Sequence, residues 1–151
     1  MTLSLPNNIS VYLADDDADD RFLFAEALME VKSDVKLITA NNGEQLMNYL
    51  GKNTPPPPQF IFLDLNMPLK NGMECLEEIK SDSKLKNIPV VIFSTSCQKE
   101  AMDQVYKKGA DYYMCKPDNF QTLKTLLDRI FSLSPNALST RATRENFLIS
   151  A

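Results

Sequence analysis

Five aspartates, Asp15, Asp16, Asp17, Asp19 and Asp20, fall within six consecutive positions of this 151-residue chain and make up a quarter of its 20 acidic residues. Carboxylates held within ~4 to 6 Å raise one another's pKa unless a cation intervenes, so a hard divalent ion with oxygen ligands is the natural resident of such a cluster. Part of the run has a simpler use. Asp17, Asp19 and Asp20 fit the start of a helix, where acidic side chains complement the positive end of the dipole. A calcium loop would also want acids at Asp15, Asp17, Asp19 and Glu26, but Asp20 stands where that loop needs glycine, and a strand rather than a helix precedes it.

What the chain lacks narrows the chemistry further. Histidine is absent, which removes Ser-His and Cys-His nucleophile pairs and His-ligated zinc. Cys75, Cys97 and Cys115 are odd in number and widely spaced, with no Cys-x-x-Cys, so free thiols in a reducing cytosol are expected. Lys and Arg total 16, the net charge is −4 and the pI is about 4.8. That balance lacks the basic excess used to bind phosphate backbones, so no nucleic-acid partner is expected. The start MTLSLPNNIS has no positive leader region and no apolar run approaches ~18 residues, so no membrane insertion and a cytoplasmic location are expected.

Elements must bring these side chains together. Short apolar runs at 9–14, 35–39, 59–64, 89–94 and 111–115 alternate with helical patterns at 19–31, 43–51, 72–81, 98–108 and 119–132. Five such alternations predict parallel strands joined by crossover helices, a five-stranded doubly wound α/β domain. The first, third and fourth runs are nearly all apolar, as central strands covered on both faces should be. The first helix is expected to bury Phe22, Leu23, Ala25 and Met29 beside Glu26, and the last to bury Leu123, Leu126, Leu127 and Ile130. Gly51 and Gly109 sit where left-handed C-terminal caps are expected. The expected division is an extension over 1–8, the domain over 9–132 and a tail over 133–151. The PPPP tract at 55–58 predicts a stiff surface loop, with a docking motif as the alternative. The tail is expected to fray, with Asn146–Ile149 (NFLI) as its one apolar docking patch.

In an open parallel sheet, ligands bind beyond the carboxyl ends of the strands. Asp15 and Asp16 end the first run, Asp64 the third, Ser94 and Thr95 the fourth, and Lys116 the fifth. Singly, each has an ordinary explanation as a turn residue, a cap or a solvated charge. Acids, a hydroxyl and one amine at four strand ends would instead converge on a single rim.

This ordered set resembles the receiver domains of two-component response regulators, of the single-domain type, over about residues 9–132. The residues that carry the resemblance are Asp15 and Asp16, the run Asp64-Leu-Asn-Met-Pro, Ser94-Thr95, Tyr113 and Lys116-Pro117, together with LNMPLKNGMECLEEIK and its turn glycine, Gly72. The resemblance implies a flavodoxin-like sheet of order 2-1-3-4-5 with five helices. It also implies that Asp64 is phosphorylated, and that Mg²⁺ is held by Asp16, Asp64 and the Asn66 carbonyl, with Asp15 binding it through water. Lys116 would pair with the transferred group. Ser94 would donate its hydroxyl to that group, and Tyr113 would turn inward as the loop with Thr95 repacks. Ser94 stands where the commoner residue is Thr, and Thr95 where many members carry Ala, which narrows access to the phosphate.

The implied activity is a phosphoacceptor switch, not an enzyme acting on other substrates. It would take its phosphoryl group from a histidine kinase or histidine phosphotransfer protein, since this chain has no histidine of its own, and signal to a downstream protein through the fourth helix, fifth strand and fifth helix. Homodimerisation through that face or the tail is part of the expectation. Two other readings are a phosphorylation-independent adaptor with the same fold, and a Mg²⁺-dependent phosphatase whose Asp-x-Asp nucleophile Asp15-Asp16-Asp17 mimics but for which no substrate cap is evident.

Overall fold

A strand whose residues are all apolar needs cover on both sides, and β3 (Phe60–Leu63) receives it: Ile61 and Leu63 face one helical layer while Phe60 and Phe62 face the other. In this computed structural model, which describes residues 9–52, 58–133 and 141–151, the other strands are β1 (Ile9–Ala14), β2 (Val35–Ala40), β4 (Val90–Ser94) and β5 (Tyr112–Cys115). They alternate with α1 (Ala18–Val31), α2 (Gly43–Leu50), α3 (Gly72–Ser81), α4 (Lys99–Lys107) and α5 (Phe120–Phe131). All pairings are parallel, in the order β2-β1-β3-β4-β5. This is the expected doubly wound, flavodoxin-like sheet, whose strand order reverses beside β1.

Side chains partition by layer. Tyr12, Leu46, Leu76, Ile79, Ile92 and Val105 pack on the α2–α3–α4 side. Phe24, Leu28, Val91, Phe93, Leu123 and Ile130 pack on the α1–α5 side, with the Phe24 ring edge-on to Phe62 at 4.9 Å. All four expected α5 residues are buried.

The expected face of α1 is wrong. Phe22 and Met29 are 63% and 67% exposed and Leu23 is also exposed, whereas Phe24, Ala27 and Leu28 are buried. Apolar residues occupy two stripes of this helix. Asp17 starts the helix, its carboxylate accepting from the Asp20 N–H at 2.9 Å, and the Phe24 stripe is the one that docks on the sheet, against Phe62 and Phe93. Gly51 adopts ordinary right-handed geometry (φ −78°), so the expected left-handed cap is absent there, while Gly109 has it (φ +104°).

The cysteines also depart from expectation, since Cys97 and Cys115 are joined by a disulfide and only Cys75, on the buried face of α3, is free. Eighteen residues separate them in sequence, but β4 and β5 are neighbours and the chain after Ser94 turns back toward Cys115.

Residues 141–151 do not fray. The Tyr113 N–H donates to the Phe147 carbonyl at 3.0 Å and the Ile149 N–H donates to the Tyr113 carbonyl at 2.9 Å, so the tail runs parallel to β5. Phe147 is fully buried against Tyr106 and Tyr113. Arg144 binds Asp103 at 2.7 Å, and the Tyr106 hydroxyl donates to the Ala142 carbonyl at 3.0 Å. The extension over 1–8 and most of the PPPP tract lie outside the described residues; Pro58 is buried. No described helix is long and apolar enough to cross a membrane.

Candidate functional site

Parallel strands end on one edge, so the residues that follow β1, β3, β4 and β5 share a rim. The Asp15 N–H donates to the Ala40 carbonyl and the Asp64 N–H donates to the Ala14 carbonyl, both at 3.0 Å. These bonds continue the sheet pattern one residue past the strands and set Asp64 beside the end of β1. Asp15 is fully buried, Asp64 is 5% exposed and Asp16 is exposed. Carboxylate oxygens of Asp15, Asp16 and Asp64 lie within 4.8 Å of one another.

Lys116 reaches this cluster from β5, its N–H donating to the Ser94 carbonyl at 2.8 Å. Its Nζ lies 2.8 Å from Asp15 Oδ2, 2.8 Å from Asp20 Oδ2 and 3.3 Å from Asp64 Oδ2. The approach to Asp15 is at ion-pair distance but poorly aligned, and Asp15 Oδ2 is left buried with no hydrogen-bond partner. Burial raises the Asp15 pKa, against the opposing pull of the Lys116 ammonium. Burial alone would lower the Lys116 pKa, but the Asp15 and Asp20 carboxylates set against its ammonium and the Asp64 charge hold it above the ordinary lysine value. Buried Asp15 and Asp64 share the Lys116 ammonium with Asp20, and that excess of carboxylate over cation, with Asp16 alongside, fits a hard divalent cation with oxygen ligands.

The loop after β3 is built for close approach. Gly72 opens α3 and its N–H donates to the Leu65 carbonyl at 3.0 Å; a Cβ there would overlap the Asp64 carbonyl oxygen. Asn71 and Glu74 cap this helix reciprocally. Asn66 is exposed, and its N–H reaches Asp64 Oδ1 at 3.4 Å. Leu69 takes a left-handed φ of 67°.

Ser94 is fully buried, and its Oγ accepts from the Ser96 N–H at 3.2 Å. Thr95 is exposed. The Tyr113 hydroxyl donates to the Ser96 carbonyl at 2.5 Å and its ring is already buried, so the inward position expected after switching is the one seen here. The chain therefore gathers Asp15, Asp16, Asp64 and Lys116 directly, with Ser94 and Tyr113 alongside. Sequence reasoning missed Asp20, assigned only to the helix start. Its place on the first turn of α1, four residues past Asp16, was the available signal.

Comparison with known proteins agrees with this geometry. A sequence model of the response regulator receiver domain matches residues 11–128. Response regulator Rcp1 of Synechocystis sp. is 34% identical over 133 residues, covering 85% of this chain and 90% of Rcp1. The Mn²⁺-bound form of Rcp1 superposes with a TM-score of 0.74 at 32% identity, covering 83% of this chain and 93% of that one. The phosphorylated cyanobacterial phytochrome response regulator RcpA gives 0.75 at 34% identity, with 82% and 91% covered. With the acidic rim, the lysine and the strand order all in place, the chain belongs to the response regulator receiver domain family, the phosphoacceptor signalling domains of two-component systems that work with histidine kinases or phosphotransfer proteins.

Proposed function

We propose that this chain takes a phosphoryl group from a partner's phosphohistidine onto Asp64. The observation that carries this reading is the Lys116 ammonium, set within 3.3 Å of Asp64 and 2.8 Å of Asp15. An Asp64 oxygen attacks phosphorus as the P–N bond to the partner imidazole breaks, and the imidazole leaves with the bonding pair and takes up a proton. Neighbouring carboxylates repel the incoming phosphoryl group. Lys116 opposes that repulsion by offering a positive point charge to the transferred oxygens.

Asp16, Asp64 and the Asn66 carbonyl would hold Mg²⁺, with Asp15 acting through water, and the clustering of the three carboxylates supports this set. When bound, the ion neutralises phosphoryl charge and favours in-line transfer. The neighbour described as Mn²⁺-bound supports a divalent site of this kind. Ser94 donates its hydroxyl to a phosphoryl oxygen, a proton that its acceptor bond from the Ser96 N–H leaves free, while Thr95 narrows the approach. The new charge of roughly −1.5 to −2 then shifts the packing of the loop and of Tyr113.

The signal leaves through α4, β5 and α5 to a downstream protein. The tail from 141 onward lies against α4 and β5, so any such partner meets it there. Catalysis is limited to the chain's own phosphorylation and dephosphorylation. The test is intact mass, with light scattering for self-association, before and after acetyl phosphate with Mg²⁺. One phosphoryl group is gained, and Asp64→Ala abolishes the gain; a gain that persists in Asp64→Ala overturns the reading. An adaptor independent of phosphorylation would leave the mass unchanged in both proteins.

A further inference from the structure

We propose that Cys97 and Cys115 are a reversible redox site whose disulfide clamps the loop between β4 and α4 and slows phosphoryl uptake at Asp64. The inference rests on the acceptor reading above. Ser94 and Cys115 are register partners on adjacent strands, and the loop returns Cys97 to a Cα–Cα distance of 5.7 Å from Cys115, inside the usual range for a disulfide. Cys97 is exposed and Cys115 half-buried, so a solution oxidant can reach the pair, whereas Cys75 is sealed in the core.

Position gives the bond its consequence. Between Ser94 and Cys97 lies Ser96, whose N–H donates to Ser94 Oγ and whose carbonyl accepts from the Tyr113 hydroxyl. Immediately after Cys115 comes Lys116, the cation of the site. Ser94 Oγ accepts from Ser96 and keeps its own proton to donate to a phosphoryl group on Asp64; in the acceptor reading the loop that carries Thr95 and Ser96 repacks relative to β5 as that bond forms. In the reduced chain, exchangeable hydrogen bonds oppose that shift. In the oxidised chain a covalent tether joins the moving loop to the strand that carries Lys116.

The chemistry needs only a small-molecule disulfide. The Cys97 thiolate attacks one sulfur of RSSR and expels RS⁻, which takes the proton Cys97 lost. The Cys115 thiolate then attacks Cys97 in the mixed disulfide and expels the second RS⁻, which takes the proton from Cys115. Two protein thiols are oxidised and one RSSR is reduced to two RSH; a dithiol reverses the step. In reducing compartments, disulfides of this kind are usually transient and redox-sensing rather than structural.

The test uses the full chain equilibrated in oxidised glutathione or in dithiothreitol. Alkylation after denaturation reads the free thiols, and the rate of mass gain from acetyl phosphate with Mg²⁺ reads uptake. The oxidised chain is expected to leave one alkylatable cysteine against three when reduced, and to take up phosphoryl at least about fivefold more slowly, the low end of a coupling between two sites. Cys97→Ser and Cys115→Ser should each erase the redox difference while keeping the reduced rate. Three alkylated cysteines in oxidised glutathione overturn the proposal, as do equal rates in the two states or a redox effect that survives Cys97→Ser. Absence of uptake in the reduced wild-type chain overturns the acceptor reading, and with it the effect on uptake, while the alkylation count tests the disulfide by itself.

Discussion

Lys116 Nζ lies 2.8 Å from both Asp15 Oδ2 and Asp20 Oδ2, so one ammonium group ties the buried end of β1 to the first turn of α1. The two bonds are not equivalent. The Asp15 side chain is fully buried, while that of Asp20 is 34% exposed.

Lys116→Ala should therefore destabilise the chain in the absence of divalent ions. Removing one partner of a buried pair leaves the other uncompensated, at a cost of about 3 kcal/mol. Millimolar Mg²⁺ should restore part of the loss by binding only the folded state. Urea unfolding with and without Mg²⁺ measures both effects. Asp20→Asn should cost less than Lys116→Ala, because Asp20 is partly solvated and the lysine keeps Asp15 and Asp64 as partners. If Lys116→Ala is no more costly than Asp20→Asn, Lys116 does not neutralise the cluster.

Gly72→Ala should disturb the acceptor without touching its carboxylate. The added Cβ meets the Asp64 and Leu65 backbone, which cannot move aside as a flexible side chain could. Overpacking of this sort costs about 1 to 3 kcal/mol. Phosphoryl uptake from acetyl phosphate should fall along with the unfolding midpoint, whereas Gly51→Ala, at a glycine with ordinary φ and only van der Waals neighbours, should leave uptake unchanged. Equal effects of the two substitutions would remove the assigned role of Gly72.

The sheet and the rim were legible for the same reason: their signals are local. Runs such as Phe60–Leu63 carry their own burial, and parallel pairing then forces Asp15, Asp64, Ser94 and Lys116 to one edge. What failed depended on contacts made at a distance. Phe22 and Phe24 are equally apolar, and only docking against Phe62 and Phe93 decides which faces inward. The Cys97–Cys115 pairing depends on the path of a loop. The tail is expected to fray, and although Asn146–Ile149 stands out as an apolar patch, nothing local tells that Phe147 is buried against Tyr106 and Tyr113.

Alkaline pH should expose the burial of Cys75. Burial raises its pKa from 9.0 to about 11. An unfolded thiol ionises near 9.0 while the folded one stays neutral, so its contribution to stability is intact below pH 9, falls as pH rises from 9 to about 11, and is lost above that. Two pKa units correspond to about 2 to 3 kcal/mol. Burial also raises Tyr12, Tyr112 and Tyr113, which adds to the decline. Urea midpoints between pH 8 and pH 11 should therefore drop less steeply in Cys75→Ala; parallel curves would assign the whole decline to the tyrosines.

Phe147→Ala tests whether the tail is part of the folded unit. The ring is fully buried, with centroids 5.1 Å from Tyr106 and 6.0 Å from Tyr113, and the Phe147 carbonyl and the Ile149 N–H both pair with the Tyr113 backbone. Truncating a buried phenylalanine costs about 3 to 5 kcal/mol where the whole structure must bear the cavity. A terminal segment has a cheaper escape. It can detach, so the global loss is capped at the free energy with which the tail is docked, and detachment should show as local opening. Hydrogen exchange separates the cases. The Tyr113 amide, which donates to the Phe147 carbonyl, should exchange much faster in Phe147→Ala, while central amides such as Leu63 keep the protection set by global unfolding. The Arg144 pairing with Asp103 makes a second check, because Arg144 holds the Asp103 pKa below the ordinary carboxylate value. That contribution is present above the unfolded Asp pKa and is lost as pH falls through the lower folded value, so acid should lower the protection of the Tyr113 amide, taken relative to its intrinsic exchange rate at each pH, in the wild type and have less effect in Arg144→Ala. If Tyr113 stays as protected in Phe147→Ala as in the wild type, the tail is held by something other than the Phe147 ring.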